Sequence, residues 1–409
     1  MLGALSDRNF RRFFAGQAVS LFGDGMVPVA LAFAVLDSTG SVSALGLVLG
    51  AQALPLVSLL LVGGVFADRL PRRAVMLGAD LVRCGAQAGT AAVVLLDVAS
   101  VWQLALLQAI YGAASAFFNP ALTGLTPMVV PADRLQDANA LRGLAAAVGR
   151  IAGPAAAGVL VATASPGFAL AADAATFGVS AAALARLSVP RSSARVAPVF
   201  MNELREGWRE FRARTWVVAI VVAVGIGGIP WAAFPVLGPA VAKESLGGAS
   251  AWGLISAGAG VGALTGGLLA LRLRPERPVL TGWLTTLVVP LPLVLLALES
   301  PAPVLAVAAL LTAAATTFFN ALWETALQRH IPAHALSRVS AYDWFGSMAL
   351  EPVGFVVIGL VAGSLGIDTT LWLSAAALAL TGLCPLFVPS VWALRAGPRV
   401  VREADRAGV

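Results

Sequence analysis

The sequence predicts an all-α integral membrane protein of twelve transmembrane helices, arranged as two six-helix bundles related by a pseudo-two-fold axis along the membrane normal. Three observations predict it. The 409 residues are 59% hydrophobic and only 12% charged, with a mean hydropathy of +0.87, far from the balance of a soluble domain. Apolar runs of roughly 20 residues, the length that crosses a ~30 Å hydrocarbon core at 1.5 Å per residue, recur from end to end with short polar joints. A gapless internal repeat relates the two halves of the chain.

The runs place spans at 13–36, 43–66, 74–96, 100–123, 139–162, 166–187, 215–241, 249–271, 278–298, 302–325, 340–363 and 367–389. They are continuous rather than alternating, and an open sheet cannot satisfy its backbone in lipid, so strands are a poor alternative. The first span is long, ends in "VLDSTG" without a small-residue cleavage site and leads straight into the second. It is expected to stay as a helix and not to be removed as a signal peptide. Cys84 and Cys384 fall singly within spans, as small buried hydrophobes and not as a disulfide framework or metal ligands. The longest polar interruption, 188–214, separates a first bundle (1–187) from a second (215–389), with 390–409 as a tail. Within it Phe200, Met201, Leu204, Trp208 and Phe211 share one helical face, and Arg205, Arg209, Arg212 and Arg214 share the opposite one. That pattern predicts a linker helix lying on the inner membrane surface.

The formal charge of +6 follows a topological rule. With Met1 inside, Arg8, Arg11, Arg12, Arg69, Arg72, Arg73, Arg83, Arg134, Arg142, the run from Arg186 to Arg214, Arg272, Arg274, Arg277, Arg329, Arg338 and the tail from Arg395 all fall on the cytoplasmic side. Of the 27 basic residues only Arg150 and Lys243 do not. This positive-inside pattern puts both termini in the cytoplasm and the chain in the cell membrane. The basic excess is therefore no nucleic-acid surface, and no nucleic-acid partner is expected.

The repeat pairs residues 117–162 with 318–363 at a shift of 201, matching Phe117, Phe118 and Asn119 with Phe318, Phe319 and Asn320, and Gly153 and Gly158 with Gly354 and Gly359. Both copies run in the same direction, as in a parallel repeat. Arg150 then falls on Glu351, each about 12 residues into its span and so roughly 18 Å from the membrane edge. Asp24, in "LFGDGMVP", has similar depth. Ionisable groups there are costly and face a bundle interior or a water-filled cavity.

Two motifs carry a family resemblance. In "GGVFADRLPRR" (63–73), Gly64, Asp68, Arg69, Arg72 and Arg73 match a cytoplasmic-loop signature, with Pro71 where glycine is usual. In "GRIAGPAAAG" (149–158), Gly149, Gly153, Pro154 and Gly158 match a fifth-helix motif of antiporters, with Ala157 replacing a glycine. On these the chain resembles the major facilitator superfamily of secondary transporters, and within it the multidrug, macrolide and siderophore exporters. Gln108, in "LLQAIYGAASA", stands where many drug exporters carry arginine. The resemblance implies a monomeric, proton-coupled antiporter that exports lipophilic or amphipathic small molecules by alternating access. Uptake by symport and ligand sensing without transport are the alternatives. No Walker A, H-E-x-x-H or G-x-S-x-G pattern is present, so no enzyme and no cofactor are expected.

The expected roles follow. Asp68 would accept from a neighbouring helix N-terminus while Arg72 and Arg73 hold the turn at anionic headgroups, together with Gly64 and Arg69 a conformational latch. The glycines of 149–158 and of "GAGVGALTGG" (258–267) allow close helix approach, and by resemblance helices five and eight pack across the bundle boundary. Arg150 cannot lose its proton and needs a partner; Asp24 is the nearest candidate in its own half. Glu351 is then the least compensated carboxyl, as a proton-coupling group requires. Phe117, Phe118, Asn119, Trp231, Phe234, Phe318, Phe319, Asn320 and Trp323 lie on helices that by resemblance line the cavity, and would give it a wall suited to bulky amphipathic substrates. Glu324 and Asp343 are expected near the cytoplasmic ends with Arg329 and Arg338, and Asp173 near the outer end of span six, capping or pairing locally. His330 and His334 are separated by Pro332 and lack a third ligand, so no metal site is expected.

Overall fold

In lipid only a hydrogen-bond ladder within the segment satisfies the backbone, so long apolar runs fold as helices. The computed structural model describes residues 5–130, 134–188 and 208–395, with the side chains of 61–69, 333–335, 337 and 338 outside the description, and the regular structure among the described residues is helical throughout. The first half supplies six helices: α1 (Arg8–Thr39), α2 (Val42–Arg69), α3 (Arg72–Leu95), α4 (Val101–Val129), α5 (Leu135–Thr163) and α6 (Pro166–Ala185). Local chemistry sets their ends. The Asp7 carboxylate accepts from the backbone N–H groups of Asn9 and Phe10 at the start of α1, and Gly40, at φ 62°, stops it. Ser100 and Gln103 form a capping box at the start of α4.

The second half differs in character. Three of its spans are broken: α7 (Thr215–Trp231) gives way to α8 (Ala233–Val241) and a π-helical turn (Ala242–Leu246); α10 (Pro278–Thr285) passes through a 3-10 turn to α11 (Leu291–Ala297); and α13 (Ala333–Met348) stops two residues before α14 (Glu351–Leu365). Each break has prolines beside it, Pro230 and Pro235, Pro290 and Pro292, and Pro352, which remove backbone donors from the ladder. α9 (Ala249–Arg272), α12 (Ala302–His330) and α15 (Ile367–Leu383) run unbroken, and a short α16 (Pro389–Ala393) follows. The linker helix expected in 188–214 falls largely outside the described residues; from Trp208 the chain is helical, and Trp208 and Phe211 pack on each other and on Tyr342.

Among the described residues eleven segments are long and apolar enough to cross a membrane. Where a third span is expected the chain forms the helix α3, of 24 residues, which falls below that apolarity because it carries Asp80, Arg83, Gln87 and Thr90, all buried. In the first half α1 packs on α5 and α6, α2 on α4, and α3 on α4 and α6. Between halves α5 packs on α9 and α2 on α14. Glycines allow both approaches: a Cβ on Gly158 would lie 2.8 Å from the Ala249 carbonyl oxygen, and one on Gly359 3.1 Å from Ser43 Cα. Ser43 Oγ also donates to the Gly359 carbonyl oxygen (2.7 Å).

Candidate functional site

The breaks in the second half converge on a cavity of about 420 Å³. Trp231 and Phe234 flank the first break and stack at 5.2 Å; Thr286 and Val289 come from the second, and Glu351 from the third. Continuous helices complete the wall with Thr312, Thr316, Phe319 and Asn320 of α12 and Thr381 of α15, while Trp283 of α10 meets Phe319 edge-on at 5.3 Å. The lining is aromatic and aliphatic with a few hydroxyls, one amide and one carboxyl. Such a wall suits a bulky solute that is mainly apolar and carries a polar or cationic end.

Glu351 and Thr312 stand out among the polar groups of this wall that make no side-chain bond. Glu351, the first residue of α14, is half-buried, and among the described residues its carboxyl makes neither hydrogen bond nor ion pair. The hydroxyl of Thr312 is buried and unpaired, with the residue 3% exposed. A buried polar group without a partner costs about 1–3 kcal/mol, and both groups line the cavity.

The other expected wall residues divide. Trp323 is buried behind the cavity, where its Nε1 donates to Asp343 Oδ2 (3.0 Å), and Phe318 is buried as well. Asp343 is therefore no interfacial charge paired with arginine; it is buried and satisfied by an indole. The first "FFN" does not join this cavity. Phe117 lines a separate apolar groove with residues of α3, Phe118 is buried beneath a guanidinium, and Asn119 is exposed. The repeat equates the two tripeptides in sequence, but their neighbours differ.

The Asp24–Arg150 pair is not formed. Tyr111 Oη donates to Asp24 Oδ1 (3.0 Å), and the guanidinium that acts on Asp24 is that of Arg83. Arg150 is exposed on α5, its carbonyl facing Gly260 of α9. Arg83 in turn does not lie at the membrane edge: it is 4% exposed, roughly 16 Å along α3 from Arg72, paired with the buried Asp80. Its guanidinium is covered by the rings of Phe118 (3.9 Å) and Phe177 (4.4 Å), which supply the packing and the negative ring faces that a buried cation needs. Asp173 does not cap a helix end. It is fully buried within α6, accepting from Gln87 Nε2 (2.8 Å), and Gln87 Oε1 accepts from Gln108 Nε2 (3.0 Å). Asp80 and Arg83 were the functional candidates missed in sequence; the signal was there, since both lie inside the 74–96 span at a spacing that puts them on one helix face.

Of the expected latch, Gly64, Asp68 and Arg69 lie outside the residues whose side chains are described. Arg72 Nη1 donates to the Gly124 carbonyl oxygen (2.7 Å), and Arg73 Nε to that of Leu184 (2.8 Å), tying the start of α3 to α4 and α6. Gly149 and Gly153 pack against α1, Gly158 and Pro154 against Gly253 of α9. His330 Nδ1 lies 3.0 Å from the Ala326 carbonyl oxygen, and the side chain of His334 is outside the described residues.

Residues 1–395 match the model of a family described as transmembrane secretion effectors. The macrolide efflux protein A of Streptococcus pyogenes is 27% identical over 216 residues, 52% of this chain and 53% of that protein, so the match spans about half of that relative. The multidrug efflux pump Tap of Mycobacterium tuberculosis (strain ATCC 25618 / H37Rv) is 27% identical over 408 residues, 94% of each chain. Among solved structures, a point mutant of the nucleoside transporter NupG superposes with a TM-score of 0.77 at 12% identity, covering 93% of this chain and 99% of that one.

Proposed function

Since the chain belongs to the transmembrane secretion effector family of the major facilitator superfamily, and so to a family of transporters, we propose that it is a proton-coupled antiporter exporting lipophilic or amphipathic small molecules by alternating access. The observation that carries this reading is the aromatic cavity holding a single unpartnered carboxyl, Glu351. An amphipathic solute would bury its apolar body against Trp231, Phe234, Trp283 and Phe319. Its polar or cationic end would reach Glu351, Asn320 and the free hydroxyl of Thr312. A proton and a solute that need the same carboxylate exclude one another, which is the elementary requirement of antiport. The names of the macrolide and multidrug efflux relatives support the direction of export.

In this proposal residues 1–187 and 215–389 act as two six-helix bundles, joined by 188–214 and followed by the tail 390–409, in a monomer of the cell membrane with both termini cytoplasmic. The α5–α9 and α2–α14 contacts are the surfaces on which the bundles rock, and Gly149, Gly153, Pro154 and Gly158 give α5 its smooth side. Arg150, exposed beside that seam, and Asp24 complete the coupling charges. Gly64, Asp68, Arg69, Arg72 and Arg73 form the latch; the ties of Arg72 and Arg73 to α4 and α6 support a rigid first bundle at that turn. The sequence carries no ATP-binding loop pattern, so the driving force is an ion or substrate gradient, and a coupled proton is worth ~2.3 kcal/mol per charge per 100 mV.

The test uses purified protein in liposomes with an internal pH dye, an imposed pH gradient and a panel of lipophilic cations, macrolides and siderophores. Substrate-dependent proton flux that disappears in Glu351→Gln is the expected result. Full flux in Glu351→Gln would remove Glu351 from coupling, and substrate binding without flux in the native protein would favour a uniporter or a sensor.

A further inference from the structure

The first half buries a second polar centre, separate from the cavity residues. Four helices build it: α1 gives Asp24, α3 gives Asp80, Arg83 and Gln87, α4 gives Gln108 and Tyr111, and α6 gives Asp173. Among the described residues the other elements add no charge to it. α2 has no ionisable side chain between 42 and 60, Arg142 of α5 donates to Thr126 Oγ1 (2.9 Å), and Arg150 is exposed; Cys84 packs beside Tyr111 and Phe177. Three carboxyls therefore share one guanidinium at a depth where unbalanced charge is costly. With all three ionised the centre carries two net negative charges (three minus one), so neutrality takes two protons.

The hydrogen bonds say which carboxyls can take them. Asp80 is held by Arg83, and a guanidinium is a donor only, so this pair suits an ionised Asp80. Asp24 faces the hydroxyl of Tyr111, which donates to a carboxylate and accepts from a carboxylic acid with equal ease. Asp173 faces the amide chain Gln108 to Gln87 to Asp173. Turning each amide by 180° exchanges its oxygen and nitrogen within the same outline and reverses the chain: a protonated Asp173 donates to Gln87 Oε1, and Gln87 Nε2 donates to Gln108 Oε1. The two carboxyls with reversible partners are as many as the protons that neutrality requires. Arg83 Nε is also buried and unpartnered, a donor ready for whichever carboxylate loses its proton.

We propose that this centre is a proton-binding site that holds protons on Asp24 and Asp173 around a fixed Asp80–Arg83 pair. Asp24, the one acid of the three that is partly exposed, is its entrance. On arrival a proton from water bonds to the Asp24 carboxylate, and Tyr111 turns from donor to acceptor; on departure the same proton returns to water and the carboxylate turns to Tyr111 and Arg83. That these protons take part, beside the one on Glu351, in the exchange for substrate rests on the antiport reading, whereas their being held here does not.

Infrared difference spectroscopy of the purified full-length protein, titrated with acid and alkali and without substrate, reads the C=O stretch of protonated carboxyls directly. The expected result is a protonated-carboxyl band that moves when aspartate, not glutamate, is labelled with carbon-13 at the carboxyl, and that loses one component in Asp24→Asn and another in Asp173→Asn while persisting in Glu351→Gln. A band at neutral pH, where exposed aspartates are ionised, that responds only to glutamate labelling, or no protonated-carboxyl band from aspartate at that pH, would overturn the proposal, and the labelling arm needs no variant to fold. Proton flux is then read in the liposomes described above. Absence of flux in the native protein alongside an intact aspartate band would sink the antiport reading and leave the proton site standing.

Discussion

Thr312 separates two kinds of buried polar residue. Most hydroxyls of the spans donate to a carbonyl three or four residues earlier, as Thr316 does to Thr312 (2.9 Å), and so contribute to the helix that carries them. The hydroxyl of Thr312 makes no such bond and lines the cavity. Thr312→Val is therefore expected to leave the melting temperature of the substrate-free protein unchanged or to raise it, by up to about 1 kcal/mol of recovered desolvation, while reducing the upward shift that a bound substrate produces. A fall in the substrate-free melting temperature would mean that the hydroxyl serves the fold. Legibility in sequence varied residue by residue for a physical reason. Glu351 stood out because the repeat aligns it with Arg150 and nothing basic precedes it nearby. Arg83 was hidden because counting arginines assigns orientation without asking what covers each one. What keeps Arg83 in the membrane is two aromatic faces and Asp80, and those rings come from α4 and α6, far away in sequence.

At the scale of elements, the spans themselves were legible nearly to their ends: 302–325 is found as Ala302–His330 and 166–187 as Pro166–Ala185. The breaks were not, because proline alone does not decide them. Pro28, Pro55, Pro127 and Pro154 all sit inside unbroken helices, where neighbouring turns absorb the lost bond. At Pro352 the lost donor falls where α14 begins, so that Glu351 stands at a helix start with no ladder bond to maintain across residues 349 and 350. Pro352→Ala restores that donor. The expected outcome is a continuous eleventh span, a protein more resistant to heat, and a substrate affinity lowered about tenfold or more as Glu351 rotates from the cavity, the equivalent of ~1.4 kcal/mol. Equilibrium binding of a fluorescent amphipathic substrate checks it, and unchanged affinity with raised stability would show that the break serves only local backbone geometry.

For the whole molecule, the two ends of the helices are held differently. Toward the end that bears Lys243, one apolar core runs through both halves, with Met26, Phe33 and Ala157 of the first packed among Val236, Trp252 and Ile358 of the second. Toward the end that bears Arg8 each half keeps its own core: Phe10, Phe13, Met76 and Leu125 in one, Trp216, Trp323 and Val339 in the other. The seam is therefore closed at the Lys243 end. Lys243 fastens it there, its Nζ donating to Asp37 Oδ1 (2.5 Å) and to the Leu36 carbonyl oxygen (3.1 Å), both at the end of α1. Its side chain is 40% exposed and that of Asp37 45%, so the ion pair contributes on the order of 0–1 kcal/mol. On the alternating-access reading proposed above, a weak bond suits an end that opens in every cycle, since a stronger one would trap the closed state. Lys243→Met is expected to raise the open fraction by up to about fivefold, which is what ~1 kcal/mol allows. Ser43 reports on it, because its hydroxyl bonds across the seam to Gly359. In a Cys84→Ala, Cys384→Ala, Ser43→Cys background, modification of the new thiol by a water-soluble reagent should accelerate by that factor when Lys243 is changed to Met. An unchanged rate would mean that the glycine contacts of α2 with α14 and of α5 with α9 close this end without help from the ion pair. The transport rate would then depend on the fit of those glycines and not on the charge at the rim.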